Sequence, residues 1–153
     1  MQEFKVVGLR TRTNNNAERD PLTAKIGPLI QKYMQLVDTL SYLKNPEAIY
    51  SVYTDYESDF TGEYTYLIGQ KVNALEEISG ELTTLTIPSQ EYIKFTNGPG
   101  AMPNVCVDIW QKVWKMPDQE LGGERAYRAD FEVYKDMKDP QNQIVSVYVG
   151  VES

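Results

Sequence analysis

Ser51-Val52-Tyr53-Thr54-Asp55 and Glu132-Val133-Tyr134-Lys135-Asp136 are two versions of one pentapeptide, offset by 81 positions (51 to 132). Tyr66-Leu67-Ile68-Gly69 and Val147-Tyr148-Val149-Gly150 match at the same offset, and Lys32-Tyr33 falls on Val113-Trp114. Separate matches at a single offset point to an internal repeat. They predict one domain over 1–153 built from two copies of a unit, about 1–75 and 82–153.

Each copy reads outward from its pentapeptide in the same order. Phe4 to Thr13 predicts a strand. Asp20-Pro21 offers a helix cap and a first-turn residue. Ile26, Leu29, Ile30, Tyr33, Leu36, Val37 and Leu40 then follow at helical spacing, with an end expected near Asn45-Pro46. Gly27-Pro28 places the regular start of that helix as late as Pro28. Segments 48–56 and 63–73 alternate as strands. In the second copy Leu82 to Thr96 reads as extended, with Pro88 at an edge or bulge. Asn97-Gly98-Pro99-Gly100 reads as a turn. Val105, Cys106, Ile109, Trp110, Val113 and Trp114 form a helical stripe. Asp118 to Arg125 reads as a mobile polar connector, and 127–136 and 143–151 as strands joined through Asp139-Pro140-Gln141-Asn142. The expected fold class is α+β: duplicated β-α-β-β units with pseudo-twofold symmetry, an antiparallel sheet and helices packed on one side.

Composition bounds the chemistry. The 153 residues carry 22 Asp plus Glu against 15 Lys plus Arg, a formal charge of −7. With no basic stretch, nucleic acid and anionic membrane are disfavoured as partners. The absence of His excludes His-dependent catalysis and His-ligated metal, and no cofactor or metal site is expected. The single cysteine, Cys106, excludes an intrachain disulfide, fits a reducing compartment, and reads as a buried apolar residue. No apolar run is long enough to span a bilayer and no secretory leader is evident, so a cytoplasmic protein is expected. Asp55, Glu57 and Asp59 lack the spacing of a calcium loop and read as a solvated hairpin end.

The repeat also nominates a site. Tyr53 matches Tyr134 and Tyr33 matches Trp114, so a twofold would bring these aromatics to one groove. Trp110 lies one turn before Trp114 on the same stripe. Core packing is the competing reading for all of them. Where the first copy has Ser51, the second has Glu132, on the Tyr134 face of its strand. In a groove, Glu132 would be a carboxylate among rings; facing water, it would be an ordinary solvated acid. A buried carboxylate needs a proton, an internal cation or a cationic ligand, and each ring face attracts a cation by about 0.5–2 kcal/mol.

The order Tyr92-Ile93-Lys94-Phe95, Asp108 to Trp114, Asp130-Phe131-Glu132-Val133-Tyr134 and Ser146 to Val151 resembles the gyrase-inhibitory-like small-molecule-binding family. Phe4 to Leu9 and Ile49 to Val72 fit that family's first half. The family supplies the effector-binding domains of AraC-type and MerR-type transcription activators, and free-standing members occur in integron cassettes. The resemblance implies a multidrug-type pocket for lipophilic cations with Glu132 as its anion, Tyr134 beside it, and Trp110, Trp114, Tyr53 and Tyr33 as aromatic surface. It implies a stand-alone ligand domain, with a homodimer or a separate regulatory protein left open as partner. Ser146 and Gly150 stand where relatives often have an acid and a proline. The alternative is a hydrolase of small electrophiles, with the pocket Glu as general base and a Tyr polarising the substrate. A third reading, inhibition of a DNA-binding enzyme through the acidic surface, has no dense acidic run behind it.

Overall fold

The computed structural model describes residues 2–39, 48–58, 61–71, 82–135, 139 and 141–152. Within them the chain runs β1 (Phe4–Asn14), α1 (Asn15–Glu18), α2 (Ile26–Thr39), β2 (Ile49–Thr54), β3 (Glu63–Lys71), β4 (Thr83–Ile87), β5 (Glu91–Gly100), α3 (Asn104–Lys115), α4 (Asp118–Leu121), β6 (Ala129–Tyr134) and β7 (Gln143–Val151). The strands form one antiparallel sheet of order β4-β1-β3-β2-β6-β7-β5, with helices on one side, an α+β fold. Inward from β1, which the edge strand β4 covers, and from the opposite edge strand β5, the strands run β1-β3-β2 and β5-β7-β6, and the two runs meet where β2 pairs β6. There Ser51 lies directly opposite Glu132. The expected helix end near Asn45-Pro46, and with it Leu40, Asp59, Asp136 and Pro140, lie outside the described residues.

Strand alternation sorts the side chains. On the helix side, Ile49, Tyr66 and Ile68 pack with Tyr33 and Val37 of α2. Tyr134, Val145, Val147 and Val149 pack with Ile109, Trp110 and Val113 of α3. The other face carries Val6, Val52, Leu67, Ile87 and Phe131. Phe131 stacks on Tyr148 at 4.7 Å and meets Phe4 and Tyr92 edge-on.

Four local expectations change. The extended stretch 82–96 is two strands on opposite edges of the sheet, β4 beside β1 and β5 beside β7. Flat, seven strands would separate those edges by about 29 Å, yet only residues 88–90 join them. Four backbone steps span at most about 15 Å, so the sheet curls until its edges approach at that end. Asn97 to Gly100 is not a turn: β5 runs through it with a register shift, and Gly98 takes φ 113° where a Cβ would sit 2.4 Å from the Gln143 carbonyl. Asp118–Leu121 is a helical turn rather than a mobile connector, anchored by buried Leu121 and closed by left-handed Gly122.

The fourth concerns α2. It begins at Ile26, and its cap is Glu18, not Asp20. The Glu18 carboxylate accepts from Lys25 N (2.9 Å) and Ile26 N (3.0 Å), while Thr13 Oγ1 donates to it at 2.6 Å. Asp20 serves its own turn, accepting from Leu22 N. A carboxylate reaching over from α1 leaves Gly27-Pro28 free to occupy the first turn, where a missing N–H costs nothing.

Gly8 and Gly69 face each other across β1 and β3. A Cβ on Gly8 would lie 1.9 Å from the Ile68 carbonyl oxygen, whereas one on Gly27 would meet nothing within 4 Å. Gly8→Ala is therefore expected to cost on the order of 2–3 kcal/mol. Gly27→Ala should be neutral or stabilise by about 0.5–1 kcal/mol. Urea midpoints of the two variants check this; equal midpoints would refute the close approach.

Candidate functional site

The β2–β6 pairing places Tyr53 and Glu132 on the helix side of the sheet, beneath α3. On α3, Cys106, Trp110 and Trp114 recur at intervals of four, so they share one face. That face closes a cleft of about 200 Å³ against Asn15 and Glu18 of α1, Ile26 at the start of α2, and Tyr53, Tyr56 and Tyr64. The rings form a connected wall. Trp114 stacks on Trp110 (6.5 Å), Trp110 meets Tyr53 edge-on (5.6 Å), Tyr53 meets Tyr64 (5.5 Å), and Tyr64 meets Tyr56 (6.1 Å).

Glu132 lies one side-chain layer behind this wall and is 2% exposed. Its Oε2 accepts from Trp110 Nε1 at 2.6 Å and from Tyr53 Oη at 2.7 Å. Its Oε1 accepts from Tyr134 Oη at 2.6 Å. Among the described residues no Lys or Arg forms an ion pair with it. The carboxyl group is thus held by three neutral donors, and no cation among the described residues pairs with it. Three directed hydrogen bonds satisfy both oxygens, which lets the group stay buried. Burial first, and the nearby Glu132 second, hold the Tyr53 and Tyr134 hydroxyls well above their ordinary pKa, so both remain donors. The same two causes, in the same order, raise the Cys106 thiol far above the usual range and leave it a poor nucleophile.

Of the six residues nominated from sequence, Tyr53, Trp110 and Trp114 line the cleft, and Glu132 and Tyr134 stand directly behind it. Tyr33 is elsewhere. It is wholly buried in the core under α2, where its hydroxyl donates to Gln70 Oε1 at 2.7 Å. Several cleft residues were not nominated. Tyr56 and Tyr64 come from the ends of strands that periodicity did locate. Cys106 shares the interval of four with Trp110 and could have been found by it. Glu18 and Arg125 depend on how α1 and the segment after α4 are routed, and no short-range pattern marks them.

Arg125 makes a buried ion pair with Asp130. Its Nη2 bonds Asp130 Oδ2 at 2.7 Å. Asp130, wholly buried, also accepts from Gly150 N at 2.7 Å and from Tyr56 Oη. No group of three or more His, Cys, Asp or Glu among the described residues is placed to hold a metal.

Comparison with known proteins places this geometry. The family of integron-associated effector-binding proteins, Cass2, matches residues 1–151. The chain belongs to this family. An integron cassette protein from the mobile metagenome of Vibrio cholerae has the same fold, with TM-score 0.80 and 31% identity, over 99% of this chain and 92% of that one. YobU of Bacillus subtilis (strain 168), classed by name alone with transcriptional regulators, is 26% identical over 113 residues, 73% of this chain and 69% of its own. SAV2435, solved bound to tetraphenylphosphonium, shares the fold at TM-score 0.72 and 19% identity, over 100% of this chain and 91% of its own. No helix among the described residues of this Cass2 member is long and apolar enough to cross a membrane.

Proposed function

We propose that this Cass2 protein binds lipophilic, cationic small molecules in the aromatic cleft, with Glu132 as the fixed negative charge. The observation that carries the reading is the Glu132 carboxylate: buried, hydrogen-bonded by Tyr53, Trp110 and Tyr134, and without a protein counter-cation among the described residues. A cation against the Tyr53 and Trp110 rings would gain their quadrupole attraction. It would also feel the carboxylate across one ring layer. At roughly 6 Å and an effective dielectric constant of about 20, that attraction is about 3 kcal/mol. Few directional groups face the cleft, so charge and aromatic area would be recognised more than shape. The phosphonium bound to SAV2435 is of this class.

The same geometry favours binding over hydrolysis. A general base must reach the proton it takes, and Glu132 instead spends its oxygens on three donors behind the wall. The relatives' names, effector-binding protein and regulator, point the same way. The sequence offset and the matching strand runs on either side of β2–β6 support a duplicated unit, 1–75 and 82–153, in a single effector-binding domain. A cytoplasmic role beside a separate regulator accords with this reading.

The test compares methyltriphenylphosphonium with its neutral carbon isostere, methyltriphenylmethane. The readout is quenching of tryptophan fluorescence, since both tryptophans of the chain line the cleft. The cation should bind tenfold to a hundredfold tighter, and Glu132→Gln should remove most of that difference. Equal affinities, or a preference unchanged in Glu132→Gln, would end the cation reading.

A further inference from the structure

Two acids back the cleft. Asp130 and Glu132 are two residues apart on β6, so their side chains leave the same face of the sheet from points about 6–7 Å apart. They are 0% and 2% exposed. Each holds part of the cleft wall from behind. Glu132 accepts from Tyr53 and Trp110, and Asp130 accepts from Tyr56 Oη and Arg125 Nη2. All four donors belong to residues that line the cleft.

The two acids differ in charge balance. Asp130 is paired with a guanidinium at 2.7 Å, whereas no cation among the described residues pairs with Glu132. An arginine side chain stays protonated in proteins, so the Arg125 charge is permanent. Its place is fixed by the backbone: Arg125 bridges Val151, and Ala126 N bonds Gly150 O at 2.9 Å. Asp130 in turn accepts from Gly150 N at 2.7 Å, so acid and base are anchored to the same end of β7. Glu18, on the α1 side of the cleft, is only part-buried and accepts from Lys25 N and Ile26 N at the start of α2, where the helix supplies about half a positive charge.

We infer that Arg125 is a specificity-determining residue of the cleft: by cancelling the Asp130 charge it leaves Glu132 as the one uncompensated buried acid, and so restricts the ligands to single cations. This rests on the cation-binding reading and narrows it to monocations. A second positive centre in the cleft meets the Arg125 charge and no second unpaired acid. One unit charge about 8 Å away, at an effective dielectric constant of about 20, changes a cation's affinity by roughly thirtyfold, and water in the cleft mouth reduces this to about tenfold.

The test uses two ligands of one shape and different charge, 3-(trimethylammonio)propyl-triphenylphosphonium and its singly charged carbon isostere, 4,4-dimethylpentyl-triphenylphosphonium, followed by tryptophan quenching. The quantity read is the affinity of the dication divided by that of the isostere, which cancels changes in cleft shape. Wild type should favour the isostere. Arg125→Gln should raise the ratio about tenfold, and Asp130→Asn should lower it about tenfold. The double variant, Arg125→Gln with Asp130→Asn, should return to the wild-type ratio, since the charge count is restored although both side chains have changed. An unchanged ratio in Arg125→Gln, or in Asp130→Asn where the first fails to fold, would overturn the inference, as would a dication bound more tightly than the isostere by wild type. In each case the cation reading stands if Glu132→Gln still weakens the isostere. Failure of the isostere to bind wild type would overturn both.

Discussion

Glu132→Ala is expected to destabilise the protein by about 3–5 kcal/mol, while Glu132→Gln stays within about 1 kcal/mol of wild type. Alanine removes the acceptor of three buried donors at once, and each orphaned donor costs about 1–3 kcal/mol. Water entering from the cleft would meet the same donors and recover part of the loss, hence the lower half of the sum. Glutamine fits the existing geometry. Trp110 Nε1 can only donate, so the amide oxygen must take the Oε2 place, where Trp110 and Tyr53 both point. The amide nitrogen then faces Tyr134, whose hydroxyl can turn and accept. The charge disappears, which weakens three hydrogen bonds but also removes the desolvation of a buried anion. Urea unfolding of the two variants checks the contrast. Equal stabilities would mean that the three hydrogen bonds contribute nothing and that the carboxylate is not held as described. The contrast also makes Glu132→Gln a usable binding variant and Glu132→Ala a poor one.

What could be read from the sequence follows the range of the forces involved. Periodicity located α3, β1, β3 and β7 because buried positions recur along each of them. It put Trp110 and Trp114 on one face for the same reason, and the step of two from Glu132 to Tyr134 put those two side chains together. α1 is four residues long, too short for any period to show. Glu18 caps α2 across an intervening turn, a contact set by tertiary approach, while Asp20-Pro21 has the local look of a cap without the place for one. Pro88 reads as an edge or a bulge in one extended stretch, and nothing local says that the strands on its two sides belong to opposite edges of a curled sheet. Tyr33 shares its repeat position with Trp114, yet the seating of α2 turns its ring into the core. Arg125 was the least legible of all. Its aim depends on left-handed Gly122, on Tyr127 at φ 52°, and on a bridge to Val151, all features of chain path rather than of pattern.

Alkali should unfold this protein in one cooperative step near pH 11. Tyr33, Tyr64, Tyr66 and Tyr134 are each 2% exposed or less. Burial is the leading cause that raises every one of them, with the Glu132 charge second for Tyr66 and Tyr134. In the unfolded chain these hydroxyls ionise near the ordinary value of about 10. Below that pH both states hold the protons, so stability does not depend on these groups and their full contribution is present. Above it the unfolded state releases protons that the folded state keeps, and stability falls as pH climbs toward the raised values. At pH 11 each group has cost about 1.4 kcal/mol, about 6 kcal/mol for the four, within the range of about 5–15 kcal/mol that such folds possess. The share of the tyrosinate absorbance that these four contribute and the loss of far-ultraviolet ellipticity should therefore rise together. The hydroxyls of Tyr53 and Tyr134 stay protonated until that point, so binding of methyltriphenylphosphonium should hold nearly constant from neutral pH to about 10 and vanish with the fold. Ionisation of these four buried tyrosines around pH 10 with the ellipticity intact, seen as tyrosinate absorbance lost in their Phe variants, would mean that their hydroxyls reach solvent in the native state. The buried donor set that holds Glu132 would then be untenable, and with it the fixed negative charge of the cleft.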